Sequence, residues 1–138
     1  MTIYLDASVL LRRVLGQAGT LAEWGAIRHT VASALTELEC LRTLDRLRVR
    51  GVLRANDLAD RREAALRLLN SVEVVEPTRA ILSRAAQPMP TALGTLDAIH
   101  LATALLWQES TNVELIMATH DAALGAAARA FGLSSVGL

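Results

Sequence analysis

No lysine occurs in this chain of 138 residues: all fourteen basic side chains are Arg, set against fourteen Asp and Glu, and the formal charge is zero. An acidic pocket that depends on a lysine ammonium as its counter-charge is therefore excluded, and net charge gives no reason to expect a nucleic-acid partner. Cys40 is the only cysteine, which rules out an internal disulfide and suits a reducing, cytoplasmic setting. Aromatic residues are scarce as well. Tyr4, Trp24, Trp107 and Phe131 are too few for base stacking to dominate recognition of a nucleic acid. No apolar run reaches the ~18 residues of a membrane span, and the start Met1-Thr2-Ile3-Tyr4 lacks the basic region of a signal peptide. No repeat, linker or low-complexity stretch divides the chain.

What is present is apolar: 52% of residues are hydrophobic. Residues 1–138 are expected to form a single domain, a size at which about two thirds of the unfolded surface can enter one core. Charge is unevenly spread. Eight of the fourteen Arg lie between Arg42 and Arg67, opposed there by Asp45, Asp57, Asp60 and Glu63. Guanidinium groups so concentrated can fork onto phosphate oxygens or simply solvate a helix face.

Hydrophobic periodicity alternates between the helical and the strand repeat, the pattern of α/β layering. Strands are expected at Thr2–Leu5, Ile27–Ala32, Val72–Val75 and Val113–Thr119, with an edge strand at Ser134–Val136. Helices are expected over Ser8–Leu15, stopped by Gly16, and as a turn or two over Thr20–Trp24, stopped by Gly25. Two longer ones follow, from a Ser33 cap to Arg50 and from an Asn56 cap to Leu69, making a hairpin about Gly51. A short helix reaching Ala86, a loop at PMPTALG, a helix from a Thr95 cap to Glu109 and another over Asp121–Phe131 complete the pattern. Strands separated by helices favour a doubly wound parallel sheet, whose ligands bind beyond the carboxyl ends of the strands.

The chain opens MTIYLDASVLL, and Asp6 ends an otherwise apolar strand. Asp121 follows another strand after MATH, so both acids point toward the expected ligand edge. Asp97 belongs to the first turn of its helix, where the dipole favours a carboxylate. Each acid alone is explained as a helix-start residue. Three at one sheet edge repel each other and raise one another's pKa unless a cation sits among them. Oxygen ligands without a thiolate suit Mg2+ or Mn2+ rather than Zn2+. His29, His100 and His120 lack zinc-type spacing and are expected in packing or helix-end roles, His120 at the rim of the site. Trp107 continues the stripe Leu96, Ile99, Thr103, Leu106 and is expected in the core, whereas Trp24 is expected to anchor a partner.

Four segments in order, LDASVLL, SALTELECLR, TLDAIHLATA and ATHDAALGAAARAFGL, cover almost the whole chain and resemble those of PIN-domain ribonucleases. Length and the Arg-bearing helix narrow the resemblance to the VapC toxins of bacterial toxin–antitoxin pairs; TLDAIHLATA is its most specific block. The resemblance implies a PIN-like α/β fold and an acidic, metal-dependent site made by Asp6, a helix glutamate, Asp97 and Asp121, with Ser8 and Thr119 in support. TELEC offers Glu37 and Glu39, about 200° apart around a helix and so unable to face one metal together. The family pattern places its acid six residues after the capping Ser and three before an Arg. Counted from Ser33 and Arg42, that spacing selects Glu39 and leaves Glu37 as the alternative.

The chemistry so implied is endoribonuclease cleavage. Mg2+ or Mn2+ held by Asp6, Asp97 and Asp121 activates water against an RNA phosphodiester, and Glu39 binds the metal through water or acts as general base. Ser8 and Thr119 orient carboxylates or water. Some of Arg42, Arg46, Arg48, Arg50 and Arg54 hold phosphates, Arg42 and Arg46 first among them, and structured RNA such as tRNA or ribosomal RNA is the expected substrate. The expected partners are a second copy of the chain and a cognate antitoxin. The antitoxin would lay an amphipathic helix against leucines among Leu38, Leu41, Leu44, Leu47, Leu66, Leu68 and Leu69. Two other readings stand beside this one. A haloacid-dehalogenase-like phosphohydrolase also carries an Asp after its first strand, but it needs a Lys, and Ser8 takes the place of its second Asp. A PIN-like binding module would keep the fold without catalysis, yet all four acids are present.

Overall fold

The computed structural model describes every residue from Met1 to Leu138. Five strands, β1 (Thr2–Leu5), β2 (His29–Ser33), β3 (Glu73–Val75), β4 (Ile116–Ala118) and β5 (Ser134–Val136), form one sheet in the order β3-β2-β1-β4-β5. Every pairing is parallel; Tyr4 of β1 lies between Val31 of β2 and Met117 of β4. The doubly wound α/β sheet expected from the sequence is thus the one observed. The chain runs outward from β1 to β3 and then returns to β4, so the β1/β4 seam is the switch point where a parallel sheet opens a crevice.

Side chains of β1 alternate between two apolar layers. Ile3 and Leu5 pack with Val9, Leu10, Cys40, Leu44, Ala65 and Leu69, which come from α1 (Ala7–Val14), α2 (Ala34–Val49) and α3 (Ala55–Leu69). Tyr4 faces the other layer, among Leu101, Ala104, Leu105, Met117, Leu124 and Ala127, beneath α5 (Thr95–Thr111) and α6 (Ala122–Ala130). A strand covered on both faces has no polar side, which explains the unbroken run before Asp6. The short α4 (Arg79–Ala85) packs on α5.

Caps account for where the helices begin, and they correct several expectations. Ser33 caps α2, its Oγ accepting the Leu35 N–H at 3.1 Å. Gly51, with φ of +77°, turns the chain out of that helix as only glycine readily can. Helix α3 begins at Arg54 rather than Asn56, because the Asp57 carboxylate reaches back to the Arg54 N–H at 3.3 Å. Gly94, not Thr95, is the N-cap of α5, and Thr95 is its first helical residue. The turn expected at Thr20–Trp24 is a 3-10 segment, Ala22–Ala26, that runs through Gly25. Strand β2 starts two residues late, at His29. Strand β4 is shorter than expected because Asn112 takes the left-handed conformation and the Gln108 side chain accepts the Leu115 N–H at 2.8 Å, so Val113–Leu115 serve as connection.

Both tryptophans are half-buried, each against one of the two apolar layers. Trp24 is half-buried against the first layer with the Arg13 guanidinium 4.9 Å over its ring, so it is not a free anchor. Trp107 reaches the sheet's edge instead of the deep core: its indole N–H donates to Glu73 at 2.9 Å and its ring stacks on His29. Among the hairpin leucines proposed for a partner, Leu38 and Leu66 are exposed, whereas Leu44 and Leu69 belong to the core. No helix is long and apolar enough to cross a membrane.

Candidate active site

Asp6 leaves the C-terminal end of β1, where its N–H donates to the Ala118 carbonyl at 3.1 Å. It occupies the N-cap position of α1 yet makes no capping bond. Its Oδ2 instead accepts from the Ser8 hydroxyl at 2.5 Å and the Thr119 hydroxyl at 2.8 Å. Each hydroxyl is fixed in turn from the β4–α6 turn: Ser8 Oγ accepts the His120 N–H at 3.0 Å, and Thr119 Oγ1 accepts the Asp121 N–H at 2.9 Å. With its hydrogen committed to Asp6 and its oxygen to an amide, neither hydroxyl can rotate away. The helix-start explanation fails for Asp6, which is buried to 6% exposure with a carboxylate held from behind.

Asp121 does cap its helix. Its Oδ1 accepts the Leu124 N–H at 2.9 Å, while the residue stays exposed at the mouth of the seam. Asp97 is the third residue of α5, a position where the helix dipole lowers a carboxylate's pKa. Its pKa is raised instead, by burial first and then by the charges of Asp121, Asp6 and Glu39, with His100 pulling the other way. Burial and the neighbouring acids together therefore outweigh the helix start. The same set of influences shows that four carboxylates far apart in sequence share one electrostatic neighbourhood. No three of the chain's His, Cys, Asp and Glu side chains are gathered closely enough to make a ready ligand cage, so the acids crowd by charge without yet converging on a point.

Helix α2 brings Glu39 to this edge and turns Glu37 to solvent. The Glu39 carboxylate pairs with Nε2 of His100, one turn after Asp97 on α5. Glu39 also lines a groove of 270 Å³ with Leu35, Leu38, Arg42, Thr43, Arg46 and Leu96. Arg42 and Arg46 are thus beside the acids, each lightly engaged with Asp45 or Thr43. Arg48 pairs with Asp45, and Arg50 and Arg54 belong to the hairpin's turn. Cys40 is buried in the first layer, where burial pushes its thiol up to about 12, so no thiolate enters the donor set.

The packing role expected for His100 holds, and a bond to Glu39 is added to it. His100 is wholly buried and bonded to Glu39, and its place one turn after Asp97 was the available signal. His120 turns from the acids: its Nδ1 donates to the Gly137 carbonyl at 2.5 Å. Gly137 is itself required there, since a Cβ would come within 2.8 Å of the Thr119 carbonyl at a φ of +94°. His29 lies far off, paired with Glu73 at the surface.

Comparison with known proteins adds three findings. A PIN-domain family model matches residues 3–130. The protein "Ribonuclease VapC46" of Mycobacterium tuberculosis (strain ATCC 25618 / H37Rv) is 30% identical over 138 residues, covering 97% of this chain and 95% of that one. Two solved structures share the fold: a toxin–antitoxin complex from Klebsiella pneumoniae, with a TM-score of 0.63 over 91% of each chain at 19% identity, and M. tuberculosis VapC20, described as a sarcin-ricin loop cleaving toxin, with a TM-score of 0.60 over 91% of this chain and 94% of that one at 20% identity.

Proposed function

The chain belongs to the PIN-domain family, and from that premise we propose that it is a VapC-type endoribonuclease, the toxin of a toxin–antitoxin pair, cutting RNA phosphodiesters at Asp6, Glu39, Asp97 and Asp121. The observation that carries this reading is the arrangement at the sheet's edge: Asp6 leaves β1 with its Oδ2 held by Ser8 and Thr119, Asp121 follows β4, and the half-buried Asp97 has its pKa raised by burial first and then by the charges of Asp121, Asp6 and Glu39. The donor set suits a hard divalent cation, being all oxygen and anionic, with the one thiol sequestered. Asp6, Asp97 and Asp121 would hold Mg2+ or Mn2+. When bound, the cation supplies neutralising charge and an acidified water for attack at phosphorus.

The chain's own side chains do the rest. Ser8 and Thr119 present Asp6 with one oxygen already occupied, fixing the direction of the other. Glu39, only partly buried, is the candidate to take a proton from the attacking water. Arg42 and Arg46 line the adjoining groove, suited to the phosphates flanking the cut. With so few aromatics, backbone and shape select the RNA, which favours a structured substrate such as tRNA or ribosomal RNA. The place of action is the cytoplasm. The antitoxin partner and self-association into a homodimer draw on the exposed Leu38, Leu66, Leu82 and Leu96.

Incubating the purified chain with total cellular RNA, with Mn2+ or Mg2+ and then with EDTA, tests the reading. Discrete new 5′ ends should arise with metal, vanish with chelator and be absent for Asp6→Asn. Turnover of a small phosphomonoester without RNA cleavage would instead reveal a phosphohydrolase.

A further inference from the structure

Glu39 is anchored from inside the protein. His100, with no exposed surface, meets the Glu39 carboxylate through Nε2. Its other nitrogen, Nδ1, lies 2.7 Å from the Tyr4 hydroxyl, and the Tyr4 oxygen accepts the Ser33 N–H at 3.2 Å. Proton bookkeeping gives the series a direction. The Ser33 amide can only donate, so the phenol's own hydrogen is free for Nδ1. Whether the imidazole accepts at Nδ1 or carries a hydrogen on both nitrogens, Nε2 bears one, aimed at a carboxylate that can only accept. Burial raises the pKa of Tyr4 far above its ordinary value and keeps that hydrogen in place. The rings meet edge to face, 5.9 Å apart, which further limits rotation of the imidazole.

A competing partner for Glu39 is close at hand in Arg42, whose present bond is to Asp45 at an exposed position. Arg42 follows Glu39 by three positions on α2 and lines the same groove, the spacing at which a helix favours a surface ion pair. Without an interior donor, the carboxylate is free to turn along the helix toward that guanidinium and away from Asp97. We propose that His100 is a positioning residue for RNA cleavage: with Tyr4 and Ser33 behind it, it holds one Glu39 oxygen and leaves the other facing the acid cluster. This deepens the nuclease reading and rests on it.

The test is a double-mutant cycle in steady-state kinetics, with a defined RNA and Mn2+, on wild type, His100→Leu, His100→Gln, Glu39→Gln and the Glu39→Gln/His100→Leu pair, each checked for folding by its melting curve. His100→Leu should lower kcat about 10- to 100-fold with KM changed by no more than about twofold. His100→Gln, whose amide N–H stands in for Nε2–H, should recover most of the loss. In the Glu39→Gln background, His100→Leu should cost almost nothing further. If His100→Leu does not fold, His100→Asn, too short to reach Glu39, takes its place in the cycle. Multiplying effects of the two substitutions, or a rise in KM at unchanged kcat, would overturn the positioning role and leave the nuclease standing. A wild-type chain that cuts no RNA with either metal would overturn both.

Discussion

Asp6 and Asp97 stand on the same edge of the sheet and are held on opposite terms. Two hydroxyls, themselves fixed by backbone amides, donate to Asp6. Around Asp97 the largest influences are burial and three like charges, and its pKa rises. One acid is held by fixed donors, and the other is crowded by charge. A site that takes a cation, as proposed for these acids, gains from this division: rigid donors give aim, and crowded charge gives attraction.

The largest effect should be on turnover and should not distinguish the two. Asp6→Asn and Asp97→Asn are each expected to remove detectable cleavage in a metal-supplemented RNA assay; wild-type rates for both variants would discard the carboxylate site. Glu39→Gln should slow cleavage by about 10²- to 10⁴-fold, whereas Glu37→Gln, at an exposed position, should leave the rate near normal and stability within about 0.5 kcal/mol. The reverse ranking in the same assay would move the role to Glu37.

Stability should separate Asp6 from Asp97. Without metal, Asp6→Asn weakens two charge-assisted bonds and should cost about 1 to 2 kcal/mol, while Asp97→Asn relieves repulsion and should raise the melting temperature. The pH dependence has a definite sign. Because the folded-state pKa of Asp97 lies above its unfolded value, its ionisation penalises the fold at neutral pH. That penalty fades as pH falls through the raised value and is gone below about 4, the unfolded value. The advantage of Asp97→Asn in thermal melts should therefore shrink over the same window, and a constant advantage down to pH 4 would contradict it.

The smallest effect belongs to the other His–Glu pair. His29 and Glu73 sit at 2.7 Å with both side chains 46% exposed, and the Glu73 pKa is lowered, first by the Trp107 N–H. A depressed carboxylate adds stability above its unfolded pKa and loses it as pH falls through the folded value, the reverse of Asp97. Solvent screening limits the gain, so Glu73→Gln should shift stability by no more than about 0.5 kcal/mol at neutral pH and leave cleavage untouched.

Sequence made the frame legible wherever one residue carried the signal locally. The apolar run before Asp6, the Ser33 cap and the stop at Gly51 each depend on near neighbours, and their elements lie within a residue of expectation. Thr95 and Asn56 are misleading signals because a hydroxyl or amide near a helix start resembles a cap, whereas the chain caps at Gly94 in one case and at Arg54, with the Asp57 side chain reaching back to it, in the other. The acids at strand ends were legible because a parallel sheet sends such residues to one edge. His100 was not: its partners Tyr4 and Glu39 lie 96 and 61 residues away, and no local pattern encodes a pairing formed by packing α5 across β1 and α2.

That distance has a consequence during synthesis. Asp6 is joined to Thr119 across 113 residues, and β1 finds its β4 neighbour only near the end of the chain. At roughly 5 to 20 residues per second, translation takes roughly 6 to 23 s to pass from Asp6 to Asp121. Once Val75 has emerged, β1, β2 and β3 can pair beneath α1, α2 and α3, closing the first apolar layer except where β4 adds Ala118. The cutting edge has no second half until α5 and β4 have left the ribosome. Until then the four acids proposed to cut RNA cannot meet, because Asp97 and Asp121 have yet to join Asp6 and Glu39.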